Sequence, residues 1–254
     1  MTLLHAVLLG IVEGITEFLP ISSTGHLMLT ETLMRIPLTS SVESFNIAIQ
    51  LGAILAVLVL YGKHLLKDKS LIILAIIGFI PTGFIGLFLH RIVKAYLLSN
   101  ITVVGWSLLI GGIVLIAFEF FIKKTRHVDQ NQAITINQSL AIGICQSFAM
   151  IPGVSRSAAT IVGGMMLGIS RPAIVEFSFI LAIPTMIAAT ALDLRSSIGA
   201  FSSNDLLALS IGFVLSFVTA IVAIRWLLRF VTNHTFVPFG IYRIIVGGLI
   251  LLFL

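Results

Sequence analysis

The chain has 254 residues, of which 58% are hydrophobic and only 10% charged, with a mean hydropathy of +1.16. Soluble domains carry about 25% charged residues, so the composition excludes an ordinary soluble domain and reads as an all-α integral membrane protein. The net charge of +5 is not a nucleic-acid signal: Lys and Arg of a membrane protein gather in cytoplasmic loops, no aromatic–basic platform accompanies them, and no nucleic-acid partner is expected.

The start, "MTLLHAVLLGIVEG", has neither a basic leader nor a small-x-small cleavage site, so the first apolar stretch is expected to stay in the mature protein. That stretch, Leu3–Met34, is interrupted at "FLPISSTGH". Three runs long enough to span follow, Phe45–Tyr61, Leu71–Leu89 and Ile101–Ile122. A second interrupted stretch, Asn137–Ile169, breaks at "MIPGVSRSAAT" and contains the lone Cys145, which has no internal disulfide partner and reads as packing. Three more spanning runs, Ile174–Leu192, Leu206–Leu228 and Phe239–Leu254, complete the chain. Proline, glycine and hydroxyl residues at each break favour a turn and a helix start. The pieces on either side are too short to cross alone. The expected fold is therefore six transmembrane helices plus two re-entrant helix–loop–helix pairs, whose broken backbone is tolerated only where it is buried in protein or lines a cavity.

The two halves repeat. "GIVEGITEFLPISSTGHLML" can be laid on "GICQSFAMIPGVSRSAATIV", with Pro20 on Pro152 and Ser23 on Ser155; Phe45 falls on Phe177 in the same register. "WSLLIGGIVLIAF" matches "YRIIVGGLILLFL". Residues 1–254 form one membrane domain, with repeats at 1–127 and 133–254. Three crossings per repeat is odd, so the second repeat runs upside down relative to the first, an inverted topology common in transporters. Lys63, Lys67, Lys69, Lys123, Lys124, Arg126 and Arg229 outnumber Arg35, Arg91, Lys94 and Arg195 on the opposite face. The excess puts the first group in the cytoplasm and the first re-entrant pair toward the exterior.

Glu13 and Glu17 stand four residues apart, on one face of a helix. Two carboxylates there need a proton, a basic partner or a divalent cation, and hard oxygen ligands suit Mg²⁺ or Ca²⁺. Intramembrane ionisable groups are functional by default. Ser22, Ser23, Thr24 and His26 follow the break; the hydroxyls can cap a helix, while Ser23 and His26 can face one way as a nucleophile and its acid–base partner. His5, His64, His90, His127 and His234 are peripheral by comparison. Downstream, Arg156 stands beside Ser155, Ser157 and Thr160. An arginine in an apolar segment needs an anion, either phosphate or Glu13 or Glu17. Gln50 lies within a span and can line a cavity, Glu119 is structural, and Glu176 and Asp193 are interfacial. The glycine pairs Gly111-Gly112, Gly163-Gly164 and Gly247-Gly248 permit close helix packing. Together these residues describe a phosphate site near lipid, in which Ser23 or a metal-bound water attacks while Arg156 and a cation take up charge. A flippase for a phosphorylated lipid is the competing reading.

"EGITEFLPISSTGHL" and "PGVSRSAATIVGGMMLGISR", with "IQLGAILAV" and "EFSFILAIP", resemble the undecaprenyl-diphosphate phosphatase (bacitracin-resistance) family over nearly the whole chain. The resemblance implies a hydrolase of the bacterial cytoplasmic (inner) membrane that converts undecaprenyl diphosphate to the monophosphate carrier of cell-wall synthesis. It implies a divalent cation (Mg²⁺ or Ca²⁺), a site opening to the exterior or periplasmic face, a polyprenyl diphosphate substrate within membrane lipid, and room for a homodimer. It assigns Glu13 and Glu17 to metal and catalysis, Ser23 and His26 to catalysis, and Arg156, Ser155, Thr160, Ser22 and Thr24 to phosphate binding. One departure is visible: Ala158 stands where the family commonly has glycine, placing a methyl at a tight turn beside the phosphate. The other large class of membrane lipid phosphatases does not fit, because Val162 stands where its second histidine would fall.

Overall fold

A computed structural model describes residues 1–37, 39–97, 100–122, 133–197 and 205–254. Lys123, Lys124, Arg126 and His127 lie outside the described residues, as do the side chains of His90, Arg91, Lys94, Asp193 and Arg195 and the junction at 128–132. The described chain is helical throughout: α1 (Leu3–Thr16), α2 (Ser23–Leu33), α3 (Ser40–Lys67), α4 (Lys69–Tyr96), α5 (Ile101–Ile122), α6 (Ile136–Ser147), α7 (Arg156–Met166), α8 (Arg171–Ser197), α9 (Asp205–Asn233) and α10 (Val237–Phe253). One 3₁₀ turn, Phe148–Met150, follows α6.

Five helices, α3, α4, α5, α8 and α9, are long and apolar enough to cross a membrane. The last expected crossing forms α10, apolar but only 17 residues long. Large apolar side chains such as Leu87, Phe88, Trp106 and Val222 are exposed on the outside of the bundle, as lipid-facing surface requires. The protein is thus an all-α, multi-pass membrane protein. The helices overrun the hydrophobic windows read from sequence. α3 starts at a Thr39 cap, whose side chain accepts from the Val42 amide, and runs on to Lys67. It breaks from α4 at Asp68, where the Ser70 amide and hydroxyl donate to the carboxylate and hold it below the usual carboxylate range.

Both interrupted stretches break where expected, and they break alike. Thr2 caps α1 and Thr135 caps α6, the latter in a capping box with Gln138. Ser22 caps α2 and Ser155 caps α7, each at positive φ (73° and 75°), accepting from the amides of Gly25 and Ala158. α2 ends with Ile36 N–H donating to Glu31 O and Arg35 N–H to Thr32 O; α7 ends with Ile169 to Gly164 and Gly168 to Met165. That is one helix-ending motif used twice, with Arg35 and Gly168 as its left-handed residues. A single residue spacing relates Thr2 to Thr135, Ser22 to Ser155 and Arg35 to Gly168. The correspondence is thus one residue off the alignment that placed Ser23 on Ser155: Ser23 matches Arg156, and Glu13 matches Gln146.

Packing follows the same pairing. α1 lies on α9 and α6 on α4; α3 contacts α9 as α8 contacts α4; α5 lies on α10 and α3 on α8. Close approach depends on glycine at a few points. A Cβ on Gly10 would sit 2.6 Å from Gly212 O across α1–α9, and one on Gly112 would sit 2.6 Å from Gly240 O across α5–α10. Gly163 abuts Cys145, Gly164 abuts Ile174 and Gly247 abuts Gly105, but Gly248 faces open space and permits no contact. Glu119 is structural: it accepts from Arg171 and from the Phe236 amide, tying the end of α5 to the starts of α8 and α10.

Candidate functional site

The two breaks meet. Ser157 Oγ–H donates to Leu19 O at 2.8 Å, and Ser155 Oγ stands 3.1 Å from Ser157 Oγ; since the Ser157 hydrogen is committed to Leu19, the Ser155 hydroxyl donates there. Arg156, at the first turn of α7, reaches back to the end of α1: its Nη2 donates to Glu17 Oε1 at 3.0 Å. Its Nη1 donates to Ser178 O on α8 at 2.8 Å, and its guanidinium lies over the Phe18 ring. Glu17 is shared, because Ser23 Oγ–H donates to its Oε2 at 2.5 Å. Serine, carboxylate and guanidinium therefore form one linear relay, Ser23–Glu17–Arg156.

This relay opens on a cavity of about 230 Å³. Glu17, Ser22, Ser23, Thr24, Gln50, Ser155 and Arg156 line it, joined by Thr82 of α4, Gln146 of α6 and Thr185 of α8. Ala149, Met150, Pro152, Met186 and Ala189 form an apolar portion of its wall. The starts of α2 and α7 both border the cavity, adding the partial positive charge of two helix N-termini to that of Arg156. The arrangement can hold a phosphate, with a hydroxyl already hydrogen-bonded to a carboxylate beside it.

Three expected residues stand elsewhere. Glu13 is fully buried behind Glu17 and does not line the cavity. Glu17 keeps right-handed helical geometry and its amide donates to Glu13 O, so the two carboxylates stay side by side as expected, with Glu17 at the cavity and Glu13 behind it. His26 does not meet Ser23. Its Nδ1 is 2.7 Å from Ser22 O, which can only accept, so Nδ1 carries the hydrogen and Nε2, 2.7 Å away, receives the Tyr242 hydroxyl of α10 in the neutral ring. Its ring also stacks on Tyr242. Thr160 lies behind Arg156, its hydroxyl 2.7 Å from Ser178 Oγ and also within reach of Arg156 O and Ser157 O. Ala158 matches Gly25 of α2, and its methyl faces a separate apolar cavity between α5, α6 and α7, not the phosphate-sized one. The methyl therefore leaves backbone approach to the cavity unobstructed.

Arg243 of α10 was not anticipated from sequence. It is fully buried, and its guanidinium donates to Gly153 O and Val154 O at 2.9 Å, Ser107 O at 3.1 Å and Pro20 O at 3.2 Å, with Leu108 O at 3.5 Å. It clamps both breaks to α5. The signal available in sequence was a charged residue inside an apolar run, "YRIIVGG".

Glu13 bears on the question of a cation. Neither of its oxygens meets a fixed hydrogen-bond donor, while the Glu17 carboxylate lies within hydrogen-bonding reach of it and Arg156 is the cation nearby. Among the described residues no three His, Cys, Asp or Glu side chains come together, so no closed all-protein metal cage is formed. A buried carboxylate without a fixed donor, beside a second carboxylate, does suit a hard ion that completes its shell from phosphate oxygens and water. Glu13 and Glu17 are the residues that would hold it.

The bacitracin resistance protein BacA family model matches residues 6–249. This chain belongs to that family. Among its relatives, the undecaprenyl-diphosphatase of Aquifex aeolicus (strain VF5) is 49% identical over 97% of this chain and 96% of the relative. That of Persephonella marina (strain DSM 14350 / EX-H1) is 48% identical over 100% and 99%. One from Methanococcus aeolicus (strain ATCC BAA-1280 / DSM 17508 / OCM 812 / Nankai-3) is 42% identical over the same shares. Coverage near the full length of each chain places the family match across both breaks, the cavity and Arg243 alike.

Proposed function

We propose that this protein is an integral-membrane undecaprenyl-diphosphatase, releasing inorganic phosphate from undecaprenyl diphosphate and returning the monophosphate carrier to cell-wall synthesis, an activity that confers bacitracin resistance. The observation that carries the reading is the Ser23–Glu17–Arg156 relay on a phosphate-sized cavity inside a membrane protein.

In this reaction Arg156, Ser155 and the starts of α2 and α7 bind the terminal phosphate, and Ser22 and Thr24 border it. Ser23 Oγ attacks its phosphorus and gives its proton to Glu17. The bridging P–O bond breaks with its electron pair on the lipid monophosphate, which takes the proton from Glu17. Water then attacks the phosphoseryl group, losing a proton to Glu17, and Ser23 leaves and is reprotonated from Glu17. His26 positions the start of α2 through Ser22. Glu13 and Glu17 are the residues that would hold a Mg²⁺ or Ca²⁺ ion, which when bound would neutralise phosphate charge.

The topology that accompanies this chemistry is six crossings, α3, α4, α5, α8, α9 and α10, with α1–α2 and α6–α7 as re-entrant pairs. Repeats 1–127 and 133–254 are related by inversion. The shared caps, helix endings and packing partners of the two halves support it. The site opens to the exterior face of the cytoplasmic (inner) membrane, in keeping with Lys63, Lys67 and Lys69 on the opposite side, and the chain can form a homodimer.

The test is phosphate release by purified protein from undecaprenyl diphosphate. Glu17→Ala and Arg156→Ala should each abolish it. Full release by either variant would remove the assignment. Transport of a non-hydrolysable diphosphate analogue in proteoliposomes, with no release from the natural lipid, would establish a flippase instead.

A further inference from the structure

A groove of about 380 Å³ runs between the end of α1 and α9, lined by Ile15, Leu19, Thr219, Val222, Ala223 and Trp226. It shares no residue with the phosphate-sized cavity. Thr219 is its one polar side chain, and that hydroxyl donates to Leu215 O at 2.7 Å. The groove is open to the outside of the bundle, since Ile15, Val222 and Trp226 are 42%, 63% and 48% exposed. An apolar trough on a lipid-facing surface suits a hydrocarbon chain.

The residues at one end of the groove say what head that chain carries. Val214, Val218 and Val222 make the exposed face of α9 apolar; from there on it turns basic, with Arg225 and Arg229 exposed on either side of Trp226 in the chain. At 3.6 residues per turn, Val222, Arg225, Trp226 and Arg229 fall within a sector of about 100°. Both arginines therefore stand on the face that Val222 and Trp226 give to the groove. Arg225 precedes the helix end at Asn233 by about 12 Å, at 1.5 Å per residue. Trp226 stacks on Phe230 and meets Phe239 edge-on, an indole of the kind that marks a membrane–water interface. Arg156, Arg171 and Arg243 each meet a carboxylate or carbonyls. Arg225 and Arg229 have no hydrogen-bond or ion-pair partner among the described residues. Unpaired cations at the edge of an apolar face draw their anion from the lipid.

We propose that the groove is a binding site for an anionic diacyl phospholipid such as phosphatidylglycerol, with one acyl chain between α1 and α9 and the headgroup phosphate on Arg225 and Arg229. Guanidinium forks match phosphate oxygens. Two of them favour a headgroup with net negative charge over a zwitterionic one, whose own ammonium cancels the phosphate. Leu19 joins this site to the rest of the fold: its side chain lines the groove, while its carbonyl accepts from Ser157 of the second break. A seated acyl chain thus packs against the residue through which the two breaks meet. The inference goes beyond the hydrolase reading and does not depend on it, because its readout is lipid binding.

Trp106 and Trp226 are the only tryptophans, so in a Trp106→Phe background the fluorescence of Trp226 reports on the groove. That protein, purified in detergent, is titrated with phosphatidylglycerol or phosphatidylcholine brominated on the acyl chains, which quenches an indole in contact. One basic residue near a membrane surface is worth roughly fivefold, so two should bring half-quenching at about 30-fold less phosphatidylglycerol than phosphatidylcholine. Arg225→Gln with Arg229→Gln, both at exposed positions, should remove that preference. Val222→Phe, which adds bulk to the groove wall, should weaken both lipids together. Equal quenching by the two lipids before the arginines are changed would make the contact annular lipid only and overturn the proposal. A preference that survives the double glutamine variant would place the anion elsewhere, and unchanged binding of both lipids to Val222→Phe would leave a headgroup patch without a chain site; either also overturns it. So would displacement of the phosphatidylglycerol by undecaprenyl phosphate at substoichiometric amounts, which would make the groove a site for the carrier lipid instead.

Discussion

Replacing Arg243 with methionine probes how the two breaks are held. Methionine fills much of the volume but donates nothing, so four carbonyls now within 3.2 Å of a guanidinium nitrogen, those of Pro20, Ser107, Gly153 and Val154, lose their donor. At the lower end of about 1–3 kcal/mol per buried group left unsatisfied, the loss is roughly 4 kcal/mol. Removing a buried cation offsets part of this, leaving a net destabilisation of about 2–4 kcal/mol, a large share of the roughly 5–15 kcal/mol that a protein has. Arg243→Lys keeps the charge but has three donors in place of five and no planar fork, so about half that loss is expected. Unfolding can be followed in detergent through the thiol reactivity of Cys145, the only cysteine, alongside phosphate release. The lysine variant should remain folded at room temperature yet release phosphate about 10–100-fold more slowly, because the segments carrying Ser23 and Arg156 are no longer pinned to one another. A methionine variant that unfolds at the wild-type temperature and releases phosphate at the wild-type rate would refute this account of the clamp.

Gly111→Ala should reproduce the Arg243 phenotype with the arginine itself kept, because the new Cβ would lie 2.1 Å from its Nη2 and push it off its carbonyls; thermal stability should fall by the equivalent of about 1–3 kcal/mol, whereas Gly248→Ala, facing open space, should leave it unchanged. Glu17→Gln keeps the shape but removes both the proton acceptor for Ser23 and the anion opposite Arg156, and phosphate release should drop by about 10²–10⁴-fold with protein yield retained. Chelation should stop phosphate release, and Mg²⁺ or Ca²⁺ should restore it in wild-type protein but not in Glu13→Ala; release that persists in excess chelator would dispose of the cation proposal.

Five of the six long apolar runs form helices long enough to cross and were legible because lipid imposes composition directly, and so were the two breaks, marked by Pro20 and Pro152 with their serines. The meeting of the breaks was legible only as an alternative for Arg156: phosphate or a glutamate. The structure shows the guanidinium on Glu17, at the rim of the cavity where a phosphate can also be reached. Periodicity placed Glu13 and Glu17 side by side, as the structure does, but gave no depth, and only Glu17 reaches the cavity. It misjudged His26: at the start of α2 the ring turns to its own cap residue and to Tyr242, a partner 216 residues away. Arg243 was not found because its partners are backbone carbonyls, which leave no charge or spacing signature.

Ser22 and Ser155 place a side chain where L-residues are rarely tolerated, at φ of 73° and 75°. Each such residue costs of order 1–3 kcal/mol, and the cost is borne twice, at the very start of the helices that frame the cavity. Glycine would relieve the backbone but supply no oxygen for the amide of Gly25 or Ala158. Threonine would supply the oxygen but add a branched Cβ to the crowded conformation. Only short, unbranched polar side chains meet both demands, so saturation mutagenesis at these two positions should return a narrow and matching set of survivors, serine with asparagine or aspartate, and the two sets should agree although the positions lie in different halves of the chain.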